Sequence, residues 1–459
     1  MITHFIKVFG CQMNYSDAER ISAYLEELGI KESEADLPAE AIAKAGLIIF
    51  VACGVRQSAE DRVYGQINNI HKKYPKKTIV LTGCLAHRKD VQRRLKGKVD
   101  LFLPIKDIYR ISDLKFKIKN SQKHNCNYLK IKPEYKSSYT SYVPIMTGCN
   151  NFCAYCVVPY ARGREYSRLV KDILKEARDL IKRGYKEIFL LGQNVNSYQS
   201  ELKIKNSKLK IKNSDTSINF STLLKLIGTI PGNFWVTFLT SHPKDMSDEL
   251  IEMITNSQKI CEYISLPAQS GDNAILKKMN RHYTVTHYKK LLRKIRSAYK
   301  KYKPQTALAI STDIIVGFPG ETRMQFENTA KLLRTMKFDM AYISQYSPRP
   351  ETAAWKLKDN VSKREKVRRE KVLTEILKKT AFQNNKKYVG KIVEVLVDKI
   401  PKLSFRKSES LALGRYKHLG HTHTQKKVIF LSNKKNLVGK FIKVKITKAQ
   451  EFGLEGVII

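Results

Sequence analysis

The sequence predicts a mixed α/β protein of three parts: an N-terminal parallel α/β domain, a central partial (βα)6 barrel and a small OB-like C-terminal β-barrel. Two observations predict it. Short apolar runs alternate with helical stretches through most of the chain, whereas the last segment shows period-two patterning instead. The boundaries drawn from these patterns are a first domain over 1–115, a basic linker over 116–141, a barrel over 142–360, a helical connector over 361–384 and a β-barrel over 385–459.

In the first domain three apolar runs share an ending. His4–Gly10 meets Cys11, Leu47–Ala52 meets Cys53, and Thr78–Gly83 meets Cys84, each followed by a polar helical stretch. Repeated strand–turn–helix units form parallel sheets, and ligands of such sheets bind beyond the carboxyl ends of the strands. Three cysteines at three such ends are placed to converge.

The linker contains Phe116-Lys117-Ile118-Lys119-Asn120-Ser121, and nearly the same words recur at Leu202–Ser207 and Leu209–Ser214. The second occurrence marks a low-complexity insertion over 201–217, read as a tolerated surface loop because lengthening a loop costs little. The alternative is a basic loop that contacts RNA.

Strands of the central barrel are expected at Tyr142–Thr147, Glu187–Leu191, Trp235–Leu239, Tyr263–Leu266, Thr312–Val316 and Ala341–Gln345, with helices such as Leu169–Arg183 and Met324–Met336 between them. The charged stretch from Ser362 to Lys387 reads as a connecting helix. Lys391–Val397 and Lys440–Ile446 alternate polar and apolar residues, as strands of a small barrel do. His418, His421 and His423 cluster there without a cysteine or carboxylate beside them and are read as a solvated loop.

The 459 residues carry 85 Lys and Arg against 42 Asp and Glu, a formal net charge of +43, which favours a polyanionic partner such as nucleic acid. No apolar run approaches a membrane span and the start lacks the regions of a signal peptide, so a cytoplasmic protein without membrane attachment is expected. In a reducing compartment, grouped cysteines point to metals or clusters rather than disulfides.

Cys149, Cys153 and Cys156 follow the first barrel strand with the spacing C-x3-C-x2-C. Structural zinc takes four ligands and none is added nearby, whereas three thiolates leave one iron of a [4Fe–4S] cluster open to an outside ligand. Cys126 and Cys261 fit neither group and are read as a linker thiol and a packed small residue.

This spacing, with Tyr155 before the third cysteine, resembles the radical S-adenosylmethionine (SAM) signature. Its surroundings, Thr147-Gly148 before it and Val157–Glu165 after it, resemble the methylthiotransferases. So do Gly10–Asn14 and Gly83–Ala86. Leu190–Tyr198, Thr240–Asp245 and Met279–Thr284 resemble the tRNA-acting MiaB branch, and Leu437–Lys440 with Phe452–Gly456 resemble its RNA-binding TRAM domain. Val51-Ala52 stands before Cys53 where relatives have Asn-Thr, and Pro267–Asp272 departs mildly, yet Arg56, Ala59 and Glu60 match.

The resemblance implies an enzyme that adds a 2-methylthio group to N6-isopentenyladenosine beside the tRNA anticodon. It implies two [4Fe–4S] clusters and SAM as cofactors. Cys149, Cys153 and Cys156 would hold the SAM-binding cluster, and Cys11, Cys53 and Cys84 an auxiliary cluster that carries the transferred sulfur. SAM contacts are expected from Tyr155, from Gly192, Gln193 and Asn194 at the second barrel strand, from Gln269 after the fourth and from Gly317 after the fifth, with Glu321 as a helix N-terminal acid. Expected partners are the anticodon stem-loop of tRNA and an electron donor such as flavodoxin or ferredoxin. The sulfur donor has no signature in the chain. Alternatives within the class are relatives acting on threonylcarbamoyladenosine in tRNA or on a ribosomal-protein aspartate. A catalytically silent iron–sulfur RNA-binding protein is the alternative outside it.

Overall fold

The computed structural model describes residues 2–33, 38–114, 127–201, 217–401 and 416–459. The strands β1 (Thr3–Phe9), β2 (Lys31–Glu32), β3 (Leu47–Ala52), β4 (Thr78–Gly83) and β5 (Leu101–Leu103) form one parallel sheet in the order β2-β1-β3-β4-β5. Every residue of β3 is buried, as expected of a central strand covered on both faces. Its alternate side chains feed two cores. Ile48 and Phe50 pack with Val63 and Ile67, while Leu47, Ile49 and Val51 pack with Ile21 and Leu25. The two layers are thus α1 (Gln12–Glu27) on one face and α3 (Gln57–Lys73) on the other, with α2 (Pro38–Lys44) and α4 (Lys89–Arg94) completing the domain. Each apolar side chain so buried contributes roughly 1.5–3 kcal/mol.

The central domain opens with β6 (Thr140–Pro144). The first expected barrel strand ends early: Pro144 brings no N–H to the ladder, and Met146–Thr147 (β7) turns away to pair antiparallel with Tyr166–Ser167 (β8). The cysteine loop and α5 (Val158–Arg162) lie between those two short strands. There follow α6 (Val170–Lys182), β9 (Glu187–Leu191), the antiparallel pair β10 (Gln199–Glu201) and β11 (Ser217–Asn219), α7 (Phe220–Gly228) and β12 (Trp235–Phe238). Then come α8 (Asp248–Asn256), β13 (Tyr263–Ser265), α9 (Asn273–Lys278), α10 (Val285–Tyr302), β14 (Ala309–Val316), α11 (Arg323–Met336) and β15 (Met340–Gln345). The parallel sheets β6-β9-β12 and β13-β14-β15 are joined by a bridge between Val236 and Ile260. Six strands therefore form an open barrel. Helix α1 packs beside β6, where Ser16 Oγ donates to the carbonyl of Tyr142 at 3.1 Å.

The connector α12 (Lys363–Lys386) starts on Ser362, whose hydroxyl accepts the N–H of Glu365. Although highly charged, it places Leu373, Leu377 and Ala381 on one stripe into the central core. The strands β16 (Ile392–Lys399), β17 (Tyr416–Thr422), β18 (Lys427–Ser432), β19 (Phe441–Gln450) and β20 (Gly453–Ile458) close a barrel in the order β16-β17-β18-β20-β19.

The histidines expected in a solvated loop instead belong to a buried region. His418 and His421 are strand residues of β17; His418 stacks on Phe430, and His421 lies between Asp398 at 2.9 Å and Glu187 at 3.2 Å. His423 pairs with Glu262. Because Glu187 and Trp235 begin β9 and β12, this seam seats the small barrel on the amino-terminal ends of the central strands. Cys261 is packed there with Trp235 and Leu396. The carboxyl ends are left for the cysteines. Cys126, most of the repeat insertion and part of the basic linker fall outside the described residues.

Candidate functional site

Register in the first sheet brings one cysteine triad together. Phe9 stands opposite Ala52 and Ala52 opposite Gly83, so the strands preceding Cys11, Cys53 and Cys84 end side by side. Cys11 caps α1, and the N–H of Val55 donates to Cys53 Sγ at 3.4 Å. A hydrogen bond from Cys53 lowers the Cys11 thiol to about 6 against the opposing effect of burial, with the charge of Arg162 assisting. Burial pushes Cys84 up.

The second triad, Cys149, Cys153 and Cys156, occupies the loop leaving β6 and β7. The loop is held from outside: the N–H of Ala154 donates to the carbonyl of Met279 at 2.9 Å, and Asn280 Nδ2 donates to that of Phe152 at 3.0 Å. Arg281 Nη1 donates to Cys153 Sγ at 3.3 Å while its Nη2 holds the carbonyl of Pro267. Burial pushes Cys149 up and Cys156 to about 12, and neighbouring thiolates add to both shifts. Bare thiolates are therefore disfavoured here, a cost that a coordinating cation removes.

Among the described residues no three His, Cys, Asp or Glu side chains close around a single metal ion. A four-iron cube takes its thiolates at separate corners and does not need them on one ion. Each triad also receives a guanidinium, Arg162 on Cys84 at 3.1 Å and Arg281 on Cys153, as an anionic cluster–thiolate assembly requires. The donor set fits such a group at both places.

The two sites adjoin. Cys156 feels the charge of Cys84, and Arg162, at the end of α5, spans between them. Its Nη2 pairs with Asp17 of α1 at 2.5 Å, and its Nη1 donates to Tyr128 Oη at 3.2 Å. All three residues are buried. Asp313 on β14 is under the charges of Arg56, three residues after Cys53, and of Arg281; burial pushes its carboxyl up to about 6.

The expected SAM residues cluster at the carboxyl ends of the barrel strands, beside the second triad. Tyr155 packs partly buried against a small core with Phe318 and Ile275. Gly192 has no room for a side chain, since a Cβ would lie 2.5 Å from Met146. Gln193 Oε1 and Asn194 Oδ1 are buried without partners, while Asn194 Nδ2 is spent on Asp245. Gln269 holds a left-handed φ of 66°, clamped because its N–H donates to Asp313 and its carbonyl accepts from Ile315. Such an outlier in a non-glycine residue points to function. Gly317 holds a left-handed φ of 70°, and the space a Cβ would fill is taken by the Lys366 side chain at 2.4 Å, so only glycine fits there. Glu321 differs from expectation. It precedes the Thr322 cap of α11, and its carboxylate accepts the Gly317 N–H and pairs with Arg369 at 2.7 Å.

Sequence reasoning missed His242 and Ser241. Burial, then the charges of Arg281 and Lys244, lower the His242 imidazole to about 2. Its Nδ1 accepts the Lys244 N–H, so Nε2 carries the proton and is a buried donor without a partner, as Ser241 Oγ is a buried hydroxyl without one. With Gln193, Asn194 and Asn196 they leave unpaired polar atoms that a polar ligand would satisfy. The only sequence signal for the pair was its place inside the Thr240–Asp245 motif.

Comparison with known proteins agrees with this architecture. Residues 143–333 match the radical SAM superfamily, residues 3–103 the uncharacterized protein family UPF0004, and residues 386–459 the TRAM domain. The chain is 39% identical to the tRNA-2-methylthio-N(6)-dimethylallyladenosine synthase of Clostridium tetani, over 99% of this chain and 96% of that one. It is 40% identical to the protein of the same name from Clostridium botulinum strain Hall, over 98% and 96%. The fold is shared with the radical S-adenosylmethionine methyltransferase TsrM from Kitasatospora setae, at a TM-score of 0.52 and 12% identity over 77% of each chain.

Proposed function

The chain belongs to the tRNA-2-methylthio-N(6)-dimethylallyladenosine synthases, radical SAM methylthiotransferases, and from that premise we propose how its residues divide the work of methylthiolating C2 of N6-isopentenyladenosine beside the tRNA anticodon. One observation carries the division: Arg162, which follows the second triad in the chain, reaches Cys84 Sγ at 3.1 Å, and Cys156 lies within the field of Cys84, so two triads from different domains adjoin at one seam.

Cys149, Cys153 and Cys156 hold the SAM-binding [4Fe–4S] cluster, and Cys11, Cys53 and Cys84 hold the auxiliary one. When bound, the clusters and SAM supply a 5′-deoxyadenosyl radical and the sulfur of the methylthio group. The chain positions these groups and excludes water. Arg281 steadies Cys153, and Arg162 steadies Cys84. Gln193, Asn194 and Gln269, with the backbone at Gly192 and Gly317 and the ring of Tyr155, form the SAM side of the site. The TRAM barrel grips tRNA phosphates through its lysines, and the base is splayed toward the carboxyl ends of the barrel strands.

The electron donor is a small redox protein of the flavodoxin or ferredoxin kind, and the site of action is the cytoplasm. Among the described residues no helix is long and apolar enough to cross a membrane.

The test is to offer the reconstituted enzyme prenylated tRNA, threonylcarbamoylated tRNA and ribosomal protein in parallel and to read nucleosides and peptides by mass spectrometry. Methylthiolation of prenylated tRNA alone is expected, with unprenylated tRNA reacting poorly because an apolar wall goes unfilled. Product confined to either other substrate would refute the assignment.

A further inference from the structure

Resting on the cluster assignment just proposed, we infer that Arg162 raises the electron affinity of the auxiliary cluster by holding a buried positive charge and a hydrogen bond on the Cys84 sulfur. Arg162 would then be a positioning residue, acting on the reaction through the ligand it touches.

Four observations support this. The Nε–H donates to Cys84 Sγ at 3.1 Å, a charge-assisted contact to a ligand atom. The guanidinium is 2% exposed, so neither water nor salt screens it effectively. The other contacts on this triad are weaker: Cys53 accepts a neutral backbone N–H at 3.4 Å, and nearby Arg349 is committed to Glu60 at 2.6 Å. Finally, Arg162 is pinned rather than free to swing, because Asp17 and Tyr128 hold both of its terminal nitrogens.

A cluster gains negative charge on reduction, so a nearby cation and a donor to its sulfurs stabilise the reduced state. Asp17 pairs with Arg162 and its charge also bears on Cys84 directly, so it opposes the arginine in part, and the guanidinium, in contact with the sulfur, is the nearer of the two. The arginine belongs to α5, in the domain of the other triad. The potential of the auxiliary cluster is therefore tied to docking of the two domains, and a separated first domain would hold a harder-to-reduce cluster.

The test uses the full chain carrying C149A, C153A and C156A, so that only the auxiliary cluster remains, with its midpoint potential read by electron paramagnetic resonance against dithionite. Adding Arg162→Gln should shift the midpoint to more negative potential, and Arg162→Lys should shift it less. The neutral pair R162Q/D17N should lie between R162Q and the parent, and it serves as the deciding variant if R162Q loses iron. An unmoved midpoint in R162Q, or in the double variant where R162Q loses iron, overturns the inference. Failure of the parent to bind about four irons would instead sink the cluster assignment and the inference with it.

Discussion

On the proposed assignment, single residues divide the chemistry between the triads. Cys153→Ala is expected to abolish reductive SAM cleavage, because the cluster it would help to hold delivers the electron. Cys84→Ala should still form 5′-deoxyadenosine but no methylthio product. Chromatography of both products in each variant checks this, and equal loss of 5′-deoxyadenosine in the two would contradict the division. Iron should follow the same line: the reconstituted protein should bind about eight irons and the C11A/C53A/C84A variant about half of them. The six cysteines were legible in the sequence because each abuts a strand end or a fixed spacing. Asp17, Arg281 and His242 were not, because their partners lie far along the chain and no local period marks them.

Elements decide what tolerates change. The repeat insertion leaves β10 at Glu201 and re-enters β11 at Ser217, and those two residues are register partners. Replacing 202–216 by Asn-Gly should therefore close a tight hairpin and leave iron content and turnover nearly unchanged. A large fall in tRNA affinity with intact clusters would assign the insertion to RNA contact. The seam beneath β9 behaves oppositely. His421 is raised from 6.5 to about 10; burial opposes the shift, but Glu187 and Asp398 outweigh it, beside Trp235 and the His423–Glu262–Lys303 group. A folded-state value above the unfolded one stabilises fully below pH 6.5, and that contribution fades as pH rises through about 10. His421→Gln should cost on the order of 3 kcal/mol near neutrality and flatten the alkaline loss in thermal denaturation. An unchanged pH profile would show that the seam does not carry it.

At the scale of the whole molecule, the small barrel cannot simply be removed, since it covers Trp235, Cys261 and Glu187. Its RNA role is better tested on exposed lysines that the seam does not use. Replacing Lys417, Lys443, Lys445 and Lys448 by Gln should weaken tRNA binding and reduce the slope of log affinity against log salt by about 0.7–0.9 for each phosphate no longer neutralised. SAM cleavage in the absence of tRNA should persist. Binding with an unaltered salt slope would move the electrostatic grip elsewhere on this highly basic chain.

The main strands and their order were readable in the chain alone, although the short pairs β7–β8 and β10–β11 were not. β9 falls on Glu187–Leu191 as expected, and β12 through β15 differ from expectation mainly at their ends, because strand periodicity and strand-end cysteines are local signals. Tertiary structure alone decided that Arg162 reaches from one triad to Cys84, that Glu321 serves Arg369 rather than a helix dipole, and that the histidines of the small barrel lie in a buried seam. Each of these joins residues dozens to hundreds of positions apart. Buried charges are tolerated only where a partner arrives from another element, and which element arrives is set by packing of the whole chain.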